Sequence, residues 1–167
     1  MKPSREFQIF VKPAGSRCNL ACDYCYYLEK KELYPDASLR MSEDLLETYI
    51  VQHIQAATEP VILFSWHGGE PTILGLDYFC TIVGLQQKHQ PAHQKIVNGI
   101  QTNGTLLDGQ WCRFLKDHHF IVGISLDGPA ELHDQFRHTK TGKSMHEQTL
   151  RGYQLLRQHG VTTEILC

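Results

Sequence analysis

Long hydrophobic runs are absent from this sequence. Its longest apolar runs, at positions 61–66 and 120–126, are far shorter than the ~20 residues that a membrane-spanning helix needs. Neither sign of charge dominates, because 16 Lys and Arg residues face 18 Asp and Glu residues, for a net charge of -2. Since there is no basic stripe to attract phosphate groups, we expect no nucleic-acid partner. The sequence therefore predicts neither a membrane protein nor a nucleic-acid-binding protein.

We expect no secretory signal at the start of the sequence. Residues 1–6 are followed by no continuous apolar segment, so we expect a cytoplasmic protein. The composition, 41% hydrophobic and 20% charged, is that of an ordinary soluble globular protein. A chain of this size buries roughly 70% of its unfolded surface, which is enough for one core. We expect one domain, or one piece of a larger domain, over residues 1–167.

Three of the six cysteines lie within one short window of the sequence. Cys18, Cys22 and Cys25 form a C-x3-C-x2-C spacing. Three thiolates on one loop suit a soft metal, either zinc or an iron–sulfur cluster, rather than a disulfide framework. A structural zinc site would want a fourth ligand, and the sequence has no second C-x-x-C or histidine pair nearby. The alternative without metal is three buried cysteines that pack as small hydrophobic residues.

The other three cysteines are expected to have a different role. Cys80, Cys112 and Cys167 fall on predicted helix or strand positions, so we expect them to be packing residues.

Strand-like and helix-like segments alternate along the chain. Strands are predicted at 7–11, 61–64, 95–102, 120–126 and 162–167. Helices are predicted to begin at Ser42, Asp77 and Asp108, and at a capping box formed by residues 144–147. Five strands joined by helical crossovers imply parallel pairing. The pattern predicts an α/β fold and leaves open whether the sheet is a barrel or an open, doubly wound sheet.

Parallel α/β folds carry their functional groups on the loops that follow the strands. Here those loops combine the cysteines with glycine-rich and polar segments. The stretches of interest are Cys18-Asn19-Leu20-Ala21-Cys22-Asp23-Tyr24-Cys25, Trp66-His67-Gly68-Gly69-Glu70-Pro71-Thr72, Gln101-Thr102-Asn103-Gly104, Ser125-Leu126-Asp127-Gly128-Pro129 and His133-Asp134-x-x-Arg137. In this order, over essentially the whole chain, these stretches resemble the radical S-adenosylmethionine (SAM) enzymes. Among those enzymes, the chain is similar to the anaerobic sulfatase-maturating enzymes and their relatives.

The resemblance implies a [4Fe-4S] cluster and SAM as cofactors. Cys18, Cys22 and Cys25 would bind three irons, which leaves the fourth iron for the amino and carboxylate groups of SAM. Tyr24, the aromatic residue before the last cysteine, would pack near the adenine. The alternative for Tyr24 is a plain core aromatic.

Three further residues are implied in SAM binding. Gly69 would let the backbone approach the SAM ammonium, whereas the alternative is an ordinary tight turn. Ser125 and Arg137 would meet the SAM carboxylate, and the alternative for Arg137 is a solvated loop residue. This chain carries His67 where many maturases carry glutamine, although both side chains can form hydrogen bonds.

The resemblance also implies an activity and partners. Family members use an electron to cleave SAM to methionine and a 5′-deoxyadenosyl radical, and maturases then oxidise a sulfatase cysteine or serine to formylglycine. The implied partners are a sulfatase, or another protein or peptide substrate, and an electron donor.

Family members are more than twice as long as this sequence. Their fold is a partial (βα)6 barrel followed by auxiliary-cluster and substrate regions, so we expect residues 1–167 to form the N-terminal portion of a radical SAM core. The expected architecture is an incomplete partial (βα) barrel with about five parallel strands. The alternative functions are a truncated, non-catalytic relative, a fragment that another chain completes, or a structural zinc protein.

Overall fold

The computed structural model describes residues 7–30 and 40–167. The strands are β1 (Phe10–Val11), β2 (Val61–Trp66), β3 (Lys95–Thr102), β4 (Ile121–Ser125) and β5 (Thr162–Leu166). The helices are α1 (Glu43–Ala56), α2 (Leu76–His89), α3 (Gly109–Asp117), α4 (Ala130–Phe136) and α5 (His146–Gln158), with a single-turn 3-10 helix at Pro71–Leu74. Residues 1–6, from which we predicted the lack of a secretory signal, lie outside the described part of the chain.

All five strands form one parallel sheet in the order β1-β2-β3-β4-β5. This confirms the predicted α/β fold with five parallel strands. A doubly wound sheet reverses its strand order at a switch point. Because the order here follows the chain from one edge to the other, the sheet is that of a partial barrel, which answers the question that the sequence pattern left open.

Alternate residues of the strands build the core. Phe64 and Trp66 of β2, Ile100 of β3, and Val122 and Ile124 of β4 are buried in one cluster with the apolar sides of the helices. Burying each such side chain contributes roughly 1.5–3 kcal/mol. The intervening residues point to the other face of the sheet, since neighbouring strand residues alternate in direction.

The face opposite the helices is more open. In register across β1, β2 and β3 it carries Phe10, then Ser65, then Gly99. Phe10 and Leu63 on this face are 51% and 39% exposed, respectively. The loops that carry the predicted site follow the carboxyl ends of these strands.

Of the four predicted helix starts, two are confirmed and two are displaced. Ser42 caps α1 by accepting from Leu45 N, and Asp108 caps α3. Helix α2, predicted to begin at Asp77, begins at Leu76 with Gly75 as its N-cap and has no side-chain cap. The predicted capping box at residues 144–147 is wrong, because the N-cap of α5 is Met145, without a side-chain cap of its own. Instead Asp134 Oδ1, from α4, accepts from the backbone N–H groups of residues 145 and 146, both at 2.8 Å.

Two other predictions need correction. Cys112 is fully buried, as expected for a packing residue, but Cys80 and Cys167 are exposed. The first strand, predicted at 7–11, is only Phe10–Val11, because only these two residues pair with β2. Within the described residues, no helix is both long and apolar enough to cross a membrane.

Candidate functional site

The loops after β1, β2, β3 and β4 enclose one cavity of about 240 Å³. All seven residues singled out from the sequence line this cavity. They are Cys18, Cys22, Tyr24, Cys25, Gly69, Ser125 and Arg137. The structure therefore brings together residues that are up to 119 positions apart in the sequence.

Backbone hydrogen bonds help to hold the cysteine loop, residues 17–27, in place. Cys25 N donates to Cys22 O at 2.9 Å, which closes a turn within the loop. The loop is also paired with the segment after α4, because Ala21 N donates to His138 O and Asp23 N donates to Phe136 O. This pairing brings Arg137 alongside the cysteines.

Burial governs the chemistry of the thiols. Desolvation raises the pKa of Cys18 to about 12. It also raises the pKa of Cys22, against the opposing effect of the nearby Arg137 guanidinium. A buried thiolate therefore needs a compensating positive charge, which bound metal supplies.

The three thiols surround the cavity rather than meet at one point. Within residues 7–30 and 40–167, no group of three or more His, Cys, Asp or Glu side chains is arranged to hold a single metal ion. In a [4Fe-4S] cubane each cysteine binds a different iron. Three soft donors around one cavity fit that requirement.

Gly69, after β2, allows the cysteine loop to pack closely against the sheet. Gly69 has a φ of +48°, and a Cβ atom there would overlap the backbone of Arg17. At the next position Glu70 N donates to Arg17 O at 2.8 Å. The close approach seen at Gly69 is thus to the cysteine loop, in addition to the cavity that this glycine lines.

Glu70 joins the loops after β2 and β3, a role that the sequence analysis missed. Its Oε1 accepts from Thr72 N, from the Thr72 hydroxyl and from the Thr102 hydroxyl, at 3.0, 2.6 and 2.7 Å. Its Oε2 accepts from Asn103 N at 2.7 Å. Complete burial raises the pKa of Glu70, against the lowering effect of these hydrogen bonds. The sequence does contain a signal for this role, because Glu70 is a lone carboxylate between a buried strand and Pro71. A carboxylate buried at such a position needs hydrogen-bond donors from the protein.

Arg137 forms a two-pronged ion pair with Asp127. Its Nε donates to Asp127 Oδ2 at 2.7 Å and its Nη2 donates to Oδ1 at 3.0 Å. The Arg137 side chain is 13% exposed, so the alternative of a solvated loop residue is wrong. Burial raises the pKa of Asp127, but the hydrogen bonds from Arg137 and Tyr24 outweigh it and hold the pKa below its ordinary value.

Tyr24, on the cysteine loop, contacts both members of the Arg137–Asp127 ion pair. Its hydroxyl donates to Asp127 Oδ2 at 2.5 Å, and the Arg137 guanidinium lies 5.2 Å from the centre of its ring. Tyr24 is 54% exposed, which is inconsistent with the alternative of a core aromatic. Asp127 lies within one of the stretches that resemble the radical SAM enzymes, but no role was predicted for it from the sequence.

Ser125 ends β4 and is held by a neighbour on β3. Gln101 Nε2 donates to Ser125 Oγ at 3.0 Å. The Gln101 side chain lies over Gly123, where a Cβ atom would overlap its amide oxygen. Gln101 also lines the cavity, and the sequence analysis did not single it out.

His67, the departure from the maturase pattern, is not among the residues that line this cavity. Its ring packs edge-on against Phe10 with ring centres 4.7 Å apart. Burial, with a smaller effect of Lys12, lowers its pKa.

Comparison with known proteins gives consistent matches over this whole region. The model of the Radical SAM superfamily matches residues 13–167. The serine-type anaerobic sulfatase-maturating enzyme of Bacteroides thetaiotaomicron is 44% identical over 159 residues, which are 95% of this chain and 38% of that enzyme. The cysteine-type anaerobic sulfatase-maturating enzyme of Clostridium perfringens is 36% identical, over 95% of this chain and 43% of that enzyme.

A solved structure shows the same fold. Native anSMEcpe with bound AdoMet and Cp18Cys peptide superposes with a TM-score of 0.85 at 37% identity, covering 96% of this chain and 42% of that one. The chain thus spans about two fifths of the length of the relatives that it matches.

Proposed function

The chain belongs to the radical SAM superfamily, and from this premise we propose that it binds a [4Fe-4S] cluster and SAM in the cavity described above. The observation that carries the proposal is that this single cavity is lined by all three cysteines and by the four residues assigned to SAM. Residues 1–167 would then form a radical SAM core domain, of which this sequence covers the N-terminal portion.

On the metal side, Cys18, Cys22 and Cys25 would each bind one iron. Their thiols are soft donors and border the cavity from one loop. Arg137, which favours the charged form of Cys22, would help to offset the negative charge of the bound thiolates. When bound, the reduced cluster supplies the electron that splits SAM into methionine and a 5′-deoxyadenosyl radical.

On the SAM side, Ser125 and Arg137 would hold the carboxylate. Since Ser125 Oγ already accepts from Gln101, its hydroxyl hydrogen is free to donate to a ligand. The two bonds to Asp127 use Nε and Nη2 of Arg137, so we assign the Nη1 hydrogens to the SAM carboxylate. A charge-assisted contact of this kind contributes roughly 1.5–3 kcal/mol.

The remaining parts of SAM would be held by Gly69 and Tyr24. The backbone carbonyl of Gly69 would accept from the SAM ammonium, since no side chain blocks the approach. The exposed ring of Tyr24 offers an apolar surface for the adenine, and its hydroxyl is anchored at Asp127.

We propose that the substrate is a serine or cysteine side chain of a sulfatase or another protein, which is oxidised to formylglycine. Both serine-type and cysteine-type maturating enzymes are among the relatives, and a relative's structure contains a bound peptide. Conversion of serine to the aldehyde removes two hydrogen atoms. The radical takes one from carbon, and the other leaves as a proton and an electron, and a one-electron acceptor must receive that electron. On cysteine the same steps would give a thioaldehyde, which water would then hydrolyse to the aldehyde with release of sulfide.

Cluster binding and SAM cleavage are tested together. The purified chain is reconstituted anaerobically with iron and sulfide, reduced with dithionite and mixed with SAM, and 5′-deoxyadenosine is quantified by chromatography. We expect about four irons per chain, from the cluster composition, and formation of deoxyadenosine. Four irons without deoxyadenosine would refute SAM cleavage, and zinc instead of iron after native purification would favour the structural-zinc alternative.

The ligand assignment is tested with matched serine variants. Cys22→Ser should lose the full cluster, whereas Cys80→Ser, at an exposed cysteine outside the cavity, should keep it. A Cys22→Ser protein that still holds the complete cluster would overturn the assignment.

The substrate is tested with peptides carrying a sulfatase-type serine, the same peptide with cysteine, and a third with alanine. Mass spectrometry should detect the aldehyde product from the serine or the cysteine peptide and none from the alanine peptide. Deoxyadenosine formation without any aldehyde would refute this substrate class while leaving SAM cleavage intact.

A further inference from the structure

Asn103, directly after β3, has a side-chain amide whose orientation is fixed. Its Oδ1 accepts from Thr105 N at 3.0 Å and from the Thr105 hydroxyl at 2.7 Å. Because the Thr105 backbone N–H can only donate, the oxygen of the amide must face Thr105. The Nδ2 group therefore points the other way, towards the cysteine loop.

Both hydrogens of Asn103 Nδ2 have acceptors on that loop. One is directed to Asn19 Oδ1 at 3.0 Å and the other to Cys18 Sγ at 3.8 Å. The bond to sulfur joins residues 85 positions apart and is the contact through which β3 reaches a candidate metal ligand. A second donor to the same sulfur, Leu20 N at 3.3 Å, comes from within the cysteine loop itself.

The backbone of Asn103 is held as firmly as its side chain. Its N–H donates to the buried Glu70 carboxylate at 2.7 Å, and its carbonyl accepts from the Thr149 hydroxyl at 3.1 Å. Asn103 is only 7% exposed. A donor fixed in this way keeps its position whether or not the sulfur carries additional negative charge.

We infer that Asn103 is a positioning residue that donates a hydrogen bond to the Cys18 thiolate and so raises the reduction potential of a cluster bound there. This inference rests on the proposed function, in which Cys18 is an iron ligand. Adding one electron makes the cluster and its thiolates more negative, and a donor aimed at sulfur stabilises that form. Loss of the donor should therefore make the reduction harder, whatever one-electron donor supplies the electron.

The first test compares two buried asparagines of the same strand region. Asn103→Ala removes the donor to Cys18, whereas Asn98→Ala removes a buried amide that bonds Trp66 and Gln86 in the core. Both reconstituted proteins are titrated electrochemically and followed by EPR. At a potential near the wild-type midpoint, the reduced-to-oxidised ratio should fall about threefold or more in Asn103→Ala and stay unchanged in Asn98→Ala.

The second test needs no substitution and remains available if Asn103→Ala does not fold or load iron. The chain contains three asparagines, Asn19, Asn98 and Asn103. Wild-type protein grown with heavy-nitrogen asparagine should show a nitrogen coupling to the reduced cluster in pulsed EPR. The coupling should persist in Asn19→Ala, which keeps the donor at position 103.

The outcomes separate the two proposals. Absence of a cluster from the wild-type chain would overturn both the proposed function and this inference. A complete cluster whose potential is the same in Asn103→Ala, or that shows no asparagine nitrogen coupling, would overturn the inference alone.

Discussion

Under the proposed function, Arg137 would combine a structural and a ligand-binding task in one guanidinium group. Its bond to Asp127 fills two of its nitrogen positions, and the same carboxylate accepts from Tyr24. Removing the arginine would thus leave a largely buried carboxylate without its charged partner, quite apart from any effect on SAM.

A pair of variants separates these two tasks. Arg137→Gln should lower the free energy of unfolding by about 1–3 kcal/mol and weaken SAM binding about tenfold or more, because a charge-assisted contact is lost. The double variant Arg137→Gln/Asp127→Asn should recover most of the stability, since no carboxylate is left unpaired, but not the affinity. Urea unfolding and calorimetric SAM titration measure the two quantities, and recovery of SAM affinity in the double variant would refute the role of Arg137 in SAM binding.

Gly69 offers a test of how tightly the cysteine loop packs on the sheet. Gly69→Ala forces a residue with a side chain into a positive φ and places its Cβ against the Arg17 backbone. Gly15→Ala is the control, because Gly15 also has a positive φ, +58°, but has open space around it. It should lose only the roughly 1 kcal/mol of stability that the unfavourable backbone conformation costs. Urea unfolding should show a further loss of about 1–3 kcal/mol for Gly69→Ala. Equal losses in both variants would contradict the packing role.

The residues of the candidate site differ in how far sequence could reveal them. The three cysteines can be recognised from their spacing alone. The family resemblance pointed to Tyr24, Gly69, Ser125 and Arg137, and the roles assigned to these residues stay predictions. Asp127 could not be assigned, because a carboxylate is defined by its partners, and its partners Tyr24 and Arg137 come from different loops.

Among the secondary-structure elements, α5 shows how one helix can cap another. Asp134 of α4 accepts from the N–H groups of the N-cap Met145 and of His146, the first residue of α5, so we expect Asp134→Ala to cost about 1 kcal/mol of stability. Ser144→Ala is the matched control, since Ser144 precedes the helix and α5 has no side-chain cap from its own segment. Thermal and urea unfolding compare the two, and a loss for Ser144→Ala equal to that for Asp134→Ala would contradict the assignment.

Where the cysteine loop pairs with the segment after α4, a histidine lies next to an aspartate, so this contact depends on pH. His138 Nε2 lies 2.9 Å from Asp23 Oδ1. A backbone hydrogen bond to Thr139 and the bond to Asp23 raise the pKa of His138 above its ordinary value of 6.5. Because the folded-state pKa is raised, the contribution of this pair to stability is present below pH 6.5 and is lost as the pH rises through the folded-state pKa.

This pH dependence can be measured directly. In an NMR titration the His138 imidazole should change protonation above pH 6.5, and Asp23→Asn should move the midpoint downward. A His138 midpoint that does not respond to Asp23→Asn would show that the contact does not form in solution.

Element prediction succeeded where the signal is local and failed where it is not. The boundaries of β3 and the caps Ser42 and Asp108 follow from residues within one or two turns. The cap of α5 was missed because Asp134 lies on another helix, beyond the range of any capping-box pattern. Helix α4 was missed as well, since its seven residues are too few for a clear periodicity.

For the whole molecule, the alternating pattern predicted parallel strands but could not fix their order. The order depends on which strand lies next to which, and that is set by tertiary packing rather than by any one segment. The sequential order found here places each site-bearing loop beside the next along one rim. This arrangement explains how a single cavity collects groups from four successive strand ends.

The three cysteines lie on one loop, whereas the other residues that line the cavity come from several loops, and this difference affects the order in which the site forms. All three cysteines lie within eight consecutive residues, so under the proposed function they would be able to capture iron before the sheet forms. The contact between Tyr24 and Asp127 spans 103 positions, and loop closure over such a length comes late in folding. If the proposed function holds, the cluster would therefore assemble before the nucleoside site. The proposed metal ligands are encoded within one short segment, whereas the proposed SAM contacts depend on the completed chain topology.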